Sequence, residues 1–256
     1  WGRMIDAINA NKRKVDGHWQ YPRMHGDQGW YAYSGSPYST GAREIYYWTL
    51  RPQDRARLSG DGWLSFLDGD RPDYPERALR AEFGRVRRQV EAMRRDLTTA
   101  DTRLADDPMV YNPATVGKLV QLMLGGLPPG MPLIGGPLHC RVRYFDPLRR
   151  RAGVPPDVAA LVESMGPEET TLFLVNINQV ETRTLIVQGG AYGEHQFVSA
   201  TLEESTQALQ EAFITVRLEP GAGGRLKLQT QRYANRPTLS FPWDRGWLLP
   251  QKEQPY

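Results

Sequence analysis

The sequence predicts an α+β protein, with a helical, aromatic-rich N-terminal part followed by an antiparallel, β-sandwich-like C-terminal part. Two patterns predict it. Residues 76–97 place an apolar side chain at every third or fourth position, the period at which a helix returns to one face. From about residue 115 the apolar residues instead alternate or cluster in short runs between Gly- and Pro-rich turns, as strands do. The change of pattern divides the chain into a helical region, 1–114, and a β-rich region, 115–256. No internal repeat is visible.

Taken in order, residues 3–14 read as a short helix with Met4, Ile5 and Ile8 on its apolar side, ended by Asp16-Gly17. Residues 34–41 are turn chemistry, rich in Gly, Ser and Pro. Thr40 then caps a helix over 41–50 that Pro52 stops from continuing. A second short helix, 63–67, follows Asp61, and 68–75 is a polar connection. In the long helix 76–97 the stripe is Leu79, Phe83, Val86, Val90, Met93 and Leu97. Arg77, Arg80, Arg87, Arg88, Arg94 and Arg95 cover much of the remainder, opposed by Glu76, Glu82 and Glu91. A solvated face around a packed stripe is the first reading of that helix, and a phosphate-binding face the second.

Residues 98–113 read as loop, and 119–124 as either a buried strand or a helix. Residues 138–145 alternate, with Cys140, Val142 and Tyr144 on one face and His139, Arg141 and Arg143 on the other. Pro155-Pro156 opens a helix through Met165, closed by Gly166. Strands are expected over 170–177, 182–188 and 196–201. Two more, 214–218 and 226–231, flank the glycine cluster of 219–224 as a hairpin. The proline-rich tail from Arg236 lies extended over the surface.

Apolar and charged fractions of 40% and 24% are those of a soluble globular protein. The longest apolar run, 116–131, is interrupted by Lys118, Gln121 and glycines, so no membrane span is expected. A net charge of +3 argues against nucleic acid as a partner. The single cysteine, Cys140, excludes an internal disulfide and any cysteine-rich zinc site. The chain starts at Trp1 with residues 1–8 already helical in pattern, and a processed or partial chain is the expectation.

Phosphate-loop, dinucleotide, zincin and nucleophile-elbow motifs are all missing. With four histidines, at 18, 25, 139 and 195, no metal site and no cofactor are expected. What stands out is residues 18–48, where nine side chains are Trp or Tyr: Trp19, Tyr21, Trp30, Tyr31, Tyr33, Tyr38, Tyr46, Tyr47 and Trp48. Such rings stack on the apolar C–H faces of sugars, while His25, Asp27, Arg43 and Glu44 can bind or act on the hydroxyls. Glycoside hydrolysis needs two carboxyl groups about the scissile bond, and polysaccharide lysis needs a positioned base. The expected catalytic residues are therefore His25, Asp27 and Glu44, and the expected substrate-binding residues Trp30, Tyr31, Tyr33, Tyr38 and Arg43. The competing reading makes some of these rings core, Tyr46 to Trp48 first among them.

Gly189–His195 is a second point of interest, because a glycine-rich turn brings Tyr192, Glu194 and His195 to the end of a strand. A plain turn is the favoured reading there. Cys140 reads as a small buried apolar residue.

A helical part followed by a β-sandwich resembles the C-terminal portion of enzymes that join an (α/α) toroid to an antiparallel β domain, among them glycosidases and polysaccharide lyases. The resemblance is one of layout. It implies a glycosidase- or lyase-type protein acting on an oligosaccharide or polysaccharide, with residues 1–114 the end of a larger toroid. A periplasmic or extracellular location is slightly favoured over a cytoplasmic one. The alternative is a non-catalytic structural or assembly protein whose aromatic stretch is core or subunit interface, with a homo-oligomer as the partner expectation.

Overall fold

The computed structural model describes residues 1–58, 60–98, 112–127 and 137–245, and the structural statements below concern these. Most of the loop expected over 98–113, and the tail beyond 245, lie outside the described residues. The chain is α+β, with helices and antiparallel sheets, and it divides into two compact units, Trp1–Asp61 and Gly62–Tyr256.

In the first unit, α1 (Gly2–Ala10) is followed by β1 (Arg13–Val15) and β2 (His18–Gln20), then β3 (Met24–Gly26) and β4 (Gly29–Tyr31). Helices α2 (Ala42–Thr49) and α3 (Pro52–Arg55) complete it. The first helix is shorter than the expected 3–14, and Asp16-Gly17 does not end it. Both residues have positive φ, 47° and 83°, and form the two-residue turn of the β1–β2 hairpin, whose twist demands that conformation. Likewise the cap of α2 is Gly41 at φ 77°, not Thr40, whose carbonyl accepts from the Trp1 indole N–H at 3.3 Å. Ile5, Ala42, Tyr46, Tyr47 and Leu50 are buried. Buried Asp54 accepts from the Thr49 hydroxyl at 2.6 Å and from Arg57, which also reaches Asp6 at 2.6 and 2.8 Å. The guanidinium hydrogen-bonds the Asp6 carboxylate and holds its pKa below the usual carboxylate range.

The second unit begins with α4 (Gly62–Leu67), α5 (Tyr74–Arg95) and α6 (Gly117–Leu124), so the segment that read as strand or helix is helix. Trp63 is fully buried, stacked on Phe66 at 5.6 Å and tilted against Tyr74 at 6.3 Å. Gly125, at φ 58°, ends α6, and the chain then bridges Leu127 to His139.

Nine strands follow: β5 (Val142–Asp146), β6 (Arg151–Ala152), β7 (Val158–Met165), β8 (Glu169–Asn176), β9 (Arg183–Gly189), β10 (Gln196–Leu202), β11 (Ser205–Glu211), β12 (Phe213–Leu218) and β13 (Gly223–Gln231). They form a five-stranded sheet, β11-β10-β13-β8-β7, and a four-stranded sheet, β12-β9-β5-β6, antiparallel throughout. Inward alternation is clearest in β8, where Thr170, Leu172, Leu174 and Asn176 are buried and their neighbours are not.

Two expectations are corrected. Residues 158–165 are strand, not helix, paired with β8 from Val158↔Asn176 to Met165↔Thr170. The runs 213–218 and 223–231 do not pair with each other: β12 lies beside β9 in one sheet and β13 between β8 and β10 in the other. The glycines between them carry the chain from sheet to sheet, tied to the β8–β9 connection by Gly221 N–H to the Asn178 carbonyl and Asn176 N–H to the Ala222 carbonyl, each 2.8 Å. The tail does more than lie on the surface. A short 3-10 turn, Pro242–Asp244, sets Trp243 edge-on to buried Phe145 at 5.9 Å and stacks it on Phe241 at 5.0 Å.

Candidate functional site

The aromatic stretch folds as nested antiparallel pairs. Tyr21 and Ser34 exchange backbone hydrogen bonds of 2.7 and 2.9 Å, and Arg23 clamps this neck, donating through Nε to the Ser34 hydroxyl at 2.6 Å and through Nη2 to the Ser36 carbonyl at 3.0 Å. Beyond the neck, β3 and β4 pair across the turn at Asp27-Gln28, with His25 opposite Trp30 and Met24 opposite Tyr31. Opposed residues share a face and successive residues alternate, so the hairpin has two different faces. On one, the His25 ring meets Trp30 edge-on at 4.8 Å. On the other, Met24 and Tyr31 stand 55% and 51% exposed, an apolar pair presented to solvent.

The remaining expected residues are distributed around this hairpin rather than gathered on it. Tyr33 lies under the Arg13 guanidinium at 3.8 Å, and exposed Trp19 under the Lys12 ammonium at 4.6 Å, both cation–π contacts. Tyr38 is held through its backbone, which exchanges hydrogen bonds of 2.7 and 2.9 Å with the Asn9 side chain. Arg43 and Glu44 are exposed in the first turn of α2, and Arg43 pairs with Asp61 at 3.3 Å. His25 and Asp27 are exposed on the hairpin. Among the described residues no hydrogen bond, ion pair or ring contact joins His25, Asp27 and Glu44. Tyr46 and Tyr47 are core, as the competing reading had it, whereas Trp48 is exposed.

The Gly189–His195 segment is the passage from β9 to β10 and hence from one sheet to the other. Gly190 has φ 79°, and the Glu194 carboxylate fills the space where its side chain would be, accepting from the Ala191 and Tyr192 N–H groups at 3.2 and 2.7 Å. His195 is buried, its Nδ1 accepting from the Tyr233 N–H at 3.2 Å and its ring edge-on to Tyr233 at 4.8 Å. His139 reaches the Tyr233 hydroxyl through Nε2 at 3.3 Å. Burial first, then Arg141 and Arg232, lowers the pKa of His195 to about 3, and burial with the same two arginines lowers that of His139 to about 4. Both imidazoles are neutral at neutral pH, which suits packing and acceptance of a hydrogen bond rather than proton donation. Burial pushes the Cys140 thiol up, away from the thiolate that a nucleophile requires. The His139–Tyr233–His195 group has no signature in the chain order, because its members are joined only by the fold.

No group of three His, Cys, Asp or Glu residues able to hold a metal is present among the described residues, and no described helix is long and apolar enough to cross a membrane. A family described as "Domain of unknown function (DUF8034)" matches residues 59–120, a stretch that includes α4, α5 and the start of α6. No curated protein and no solved structure matches the chain.

Proposed function

We propose that the protein binds carbohydrate through the aromatic stretch 18–48, with the β3–β4 hairpin as the contact surface. The observation that carries the reading is the solvent-facing pair Met24 and Tyr31 on a hairpin whose other face bears His25 and Trp30. An exposed ring beside polar and charged groups is what a sugar, apolar on its C–H faces and polar at its rim, requires. The proposal is of binding. Hydrolysis or lysis by His25, Asp27 and Glu44 would need those groups flanking one bond without touching each other, and a cleavage assay on the polysaccharides that the protein binds tests it. Alongside it, the two sheets are read as facing one another in a sandwich, supported by the β8–β9, β9–β10, β11–β12 and β12–β13 connections, each of which passes from sheet to sheet.

Affinity electrophoresis of the whole chain against a panel of soluble polysaccharides tests the reading. The parent protein should be retarded by at least one polysaccharide, and Tyr31→Ala and Trp30→Ala should lose that retardation with unchanged circular dichroism. A parent protein retarded by none of them, or variants retarded as strongly as the parent, would overturn it. A second reading, an assembly role for the first unit, is favoured by the exposed Trp1, Met4 and Trp48, which lie outside the hairpins. It predicts an oligomer that Trp48→Ser dissociates.

A further inference from the structure

Among the described residues, helix α5 is only partly covered. Its buried side chains are Tyr74 and Ala78, both near its start. Tyr74 meets Lys118 and Gln121 of α6 through its hydroxyl, at 2.8 and 3.4 Å, and Glu82 accepts a hydrogen bond from Thr115. The stripe Leu79, Phe83, Val86, Val90 and Met93 lies roughly 100° around the helix from Ala78, at 3.6 residues per turn, and its sixth member, Leu97, follows two residues after the helix ends at Arg95. None of the six is buried, and Phe83, Met93 and Leu97 are 63%, 49% and 95% exposed.

The spacing of that stripe is four, three, four, three, four, which is the 3.5-residue repeat of a coiled-coil seam. Its flanks are sorted by charge. The positions following Leu79, Val86 and Met93 are Arg80, Arg87 and Arg94, and those preceding Phe83, Val90 and Leu97 are Glu82, Gln89 and Asp96. In a parallel pair each flank meets the opposite flank of the other helix, five positions on, so that Glu82 faces Arg87 and Gln89 faces Arg94. In an antiparallel pair like meets like, and arginine opposes arginine. We propose that α5 pairs with α5 of a second copy of this chain as a short parallel coiled coil, with the seam from Leu79 to Met93 and Glu82–Arg87 pairs on both sides. It uses none of the residues of the hairpin proposed to contact sugar, and neither proposal depends on the other.

Sedimentation equilibrium of the whole chain, together with disulfide trapping, tests it. The parent protein should sediment as a concentration-dependent dimer and Phe83→Glu as a monomer. Arg87→Glu should weaken the dimer by roughly tenfold, since it turns two attractive pairs into two repulsive ones, and Glu82→Arg combined with Arg87→Glu should restore it. Val90→Cys should form an intermolecular disulfide in the parallel, in-register pair, Cys140 being buried. A parent protein that stays monomeric overturns the proposal. In that case a lowered melting temperature in Phe83→Glu would assign the stripe to a segment of the same chain, such as residues 99–111. A dimer that survives Phe83→Glu, or that Val90→Cys fails to cross-link, overturns it in favour of another surface or an antiparallel pair.

Discussion

Single side chains hold the sheet-to-sheet connections of the second unit, and Asn176 is the clearest case. Fully buried at the end of β8, it donates through Nδ2 to the carbonyls of Glu181, Leu218 and Glu219 at 2.8, 3.2 and 3.1 Å, and its Oδ1 accepts from the Asn178 N–H at 3.1 Å. One amide therefore ties the end of β8 to the end of β12, strands of different sheets. Leaving such buried backbone groups unpaired costs about 1–3 kcal/mol each, softened where water reaches them, so Asn176→Leu should lose about 3 kcal/mol of stability in urea unfolding. A loss under 1 kcal/mol would show that the connection does not depend on it. Tyr144 predicts the opposite sign. Its hydroxyl is buried with no hydrogen-bond partner among the described residues, and burial pushes its pKa up. Tyr144→Phe removes a desolvated hydroxyl without changing the packing, and should be neutral or more stable by about 1 kcal/mol in the same assay.

Among the elements, the long helix and most strands could be read in the sequence because their periodicity is local. The exceptions have identifiable causes. In β7 a bulge between Val162 and Ser164 inserts one residue, so the buried side chains fall at Val158, Val162 and Met165. Spacings of four and three are those of a helix face, and the bulge thus disguised the strand. Strand β11, Ser205–Glu211, is a polar edge strand with no apolar alternation to betray it. The glycines of 219–224 marked a turn correctly, but which strands pair is decided by β9 and β8, far away in sequence. Of the expected site, the clustering of rings was legible; the pairing of His25 with Trp30 depends on a hairpin register that no residue count gives. The tail follows the same logic. Arg245 donates to the Gln188 side chain at 2.9 Å, and Trp243 covers Phe145 beside Ile186 and Phe213. Trp243→Ala should therefore cost about 2 kcal/mol, about half the loss for a fully buried tryptophan, because Trp243 is only partly buried. A tail that merely lay on the surface would leave the urea midpoint unmoved.

The molecule as a whole separates display from stability. The first unit presents rings to solvent around a small set of buried side chains, while the second holds two sheets, a buried His195 and a half-buried His139. That pair gives the second unit a pH dependence with a defined sign. His195 and His139 ionise near pH 3 and 4 when folded, against about 6.5 in an unfolded chain. Between those limits the unfolded state binds more protons, so acid favours unfolding. The stabilisation is complete above about pH 7 and falls with pH by about 1.4 kcal/mol per unit for each neutral histidine, until the folded-state values are reached. Carboxylates held low, such as Asp6 and Asp157, lose their contribution only below their unfolded values near pH 4, which leaves the window from 6.5 to 5 to the histidines. Urea midpoints of the sheets can be followed through peptides of β8 and β9, using hydrogen-exchange labelling at one fixed pH after equilibration at each test pH. They should fall steadily from pH 7 to pH 5. His195→Gln should flatten the slope to about that of one histidine, whatever its effect on absolute stability. A midpoint constant across that window would mean that the two imidazoles are protonated inside the fold, and that their neutral arrangement about Tyr233 is wrong.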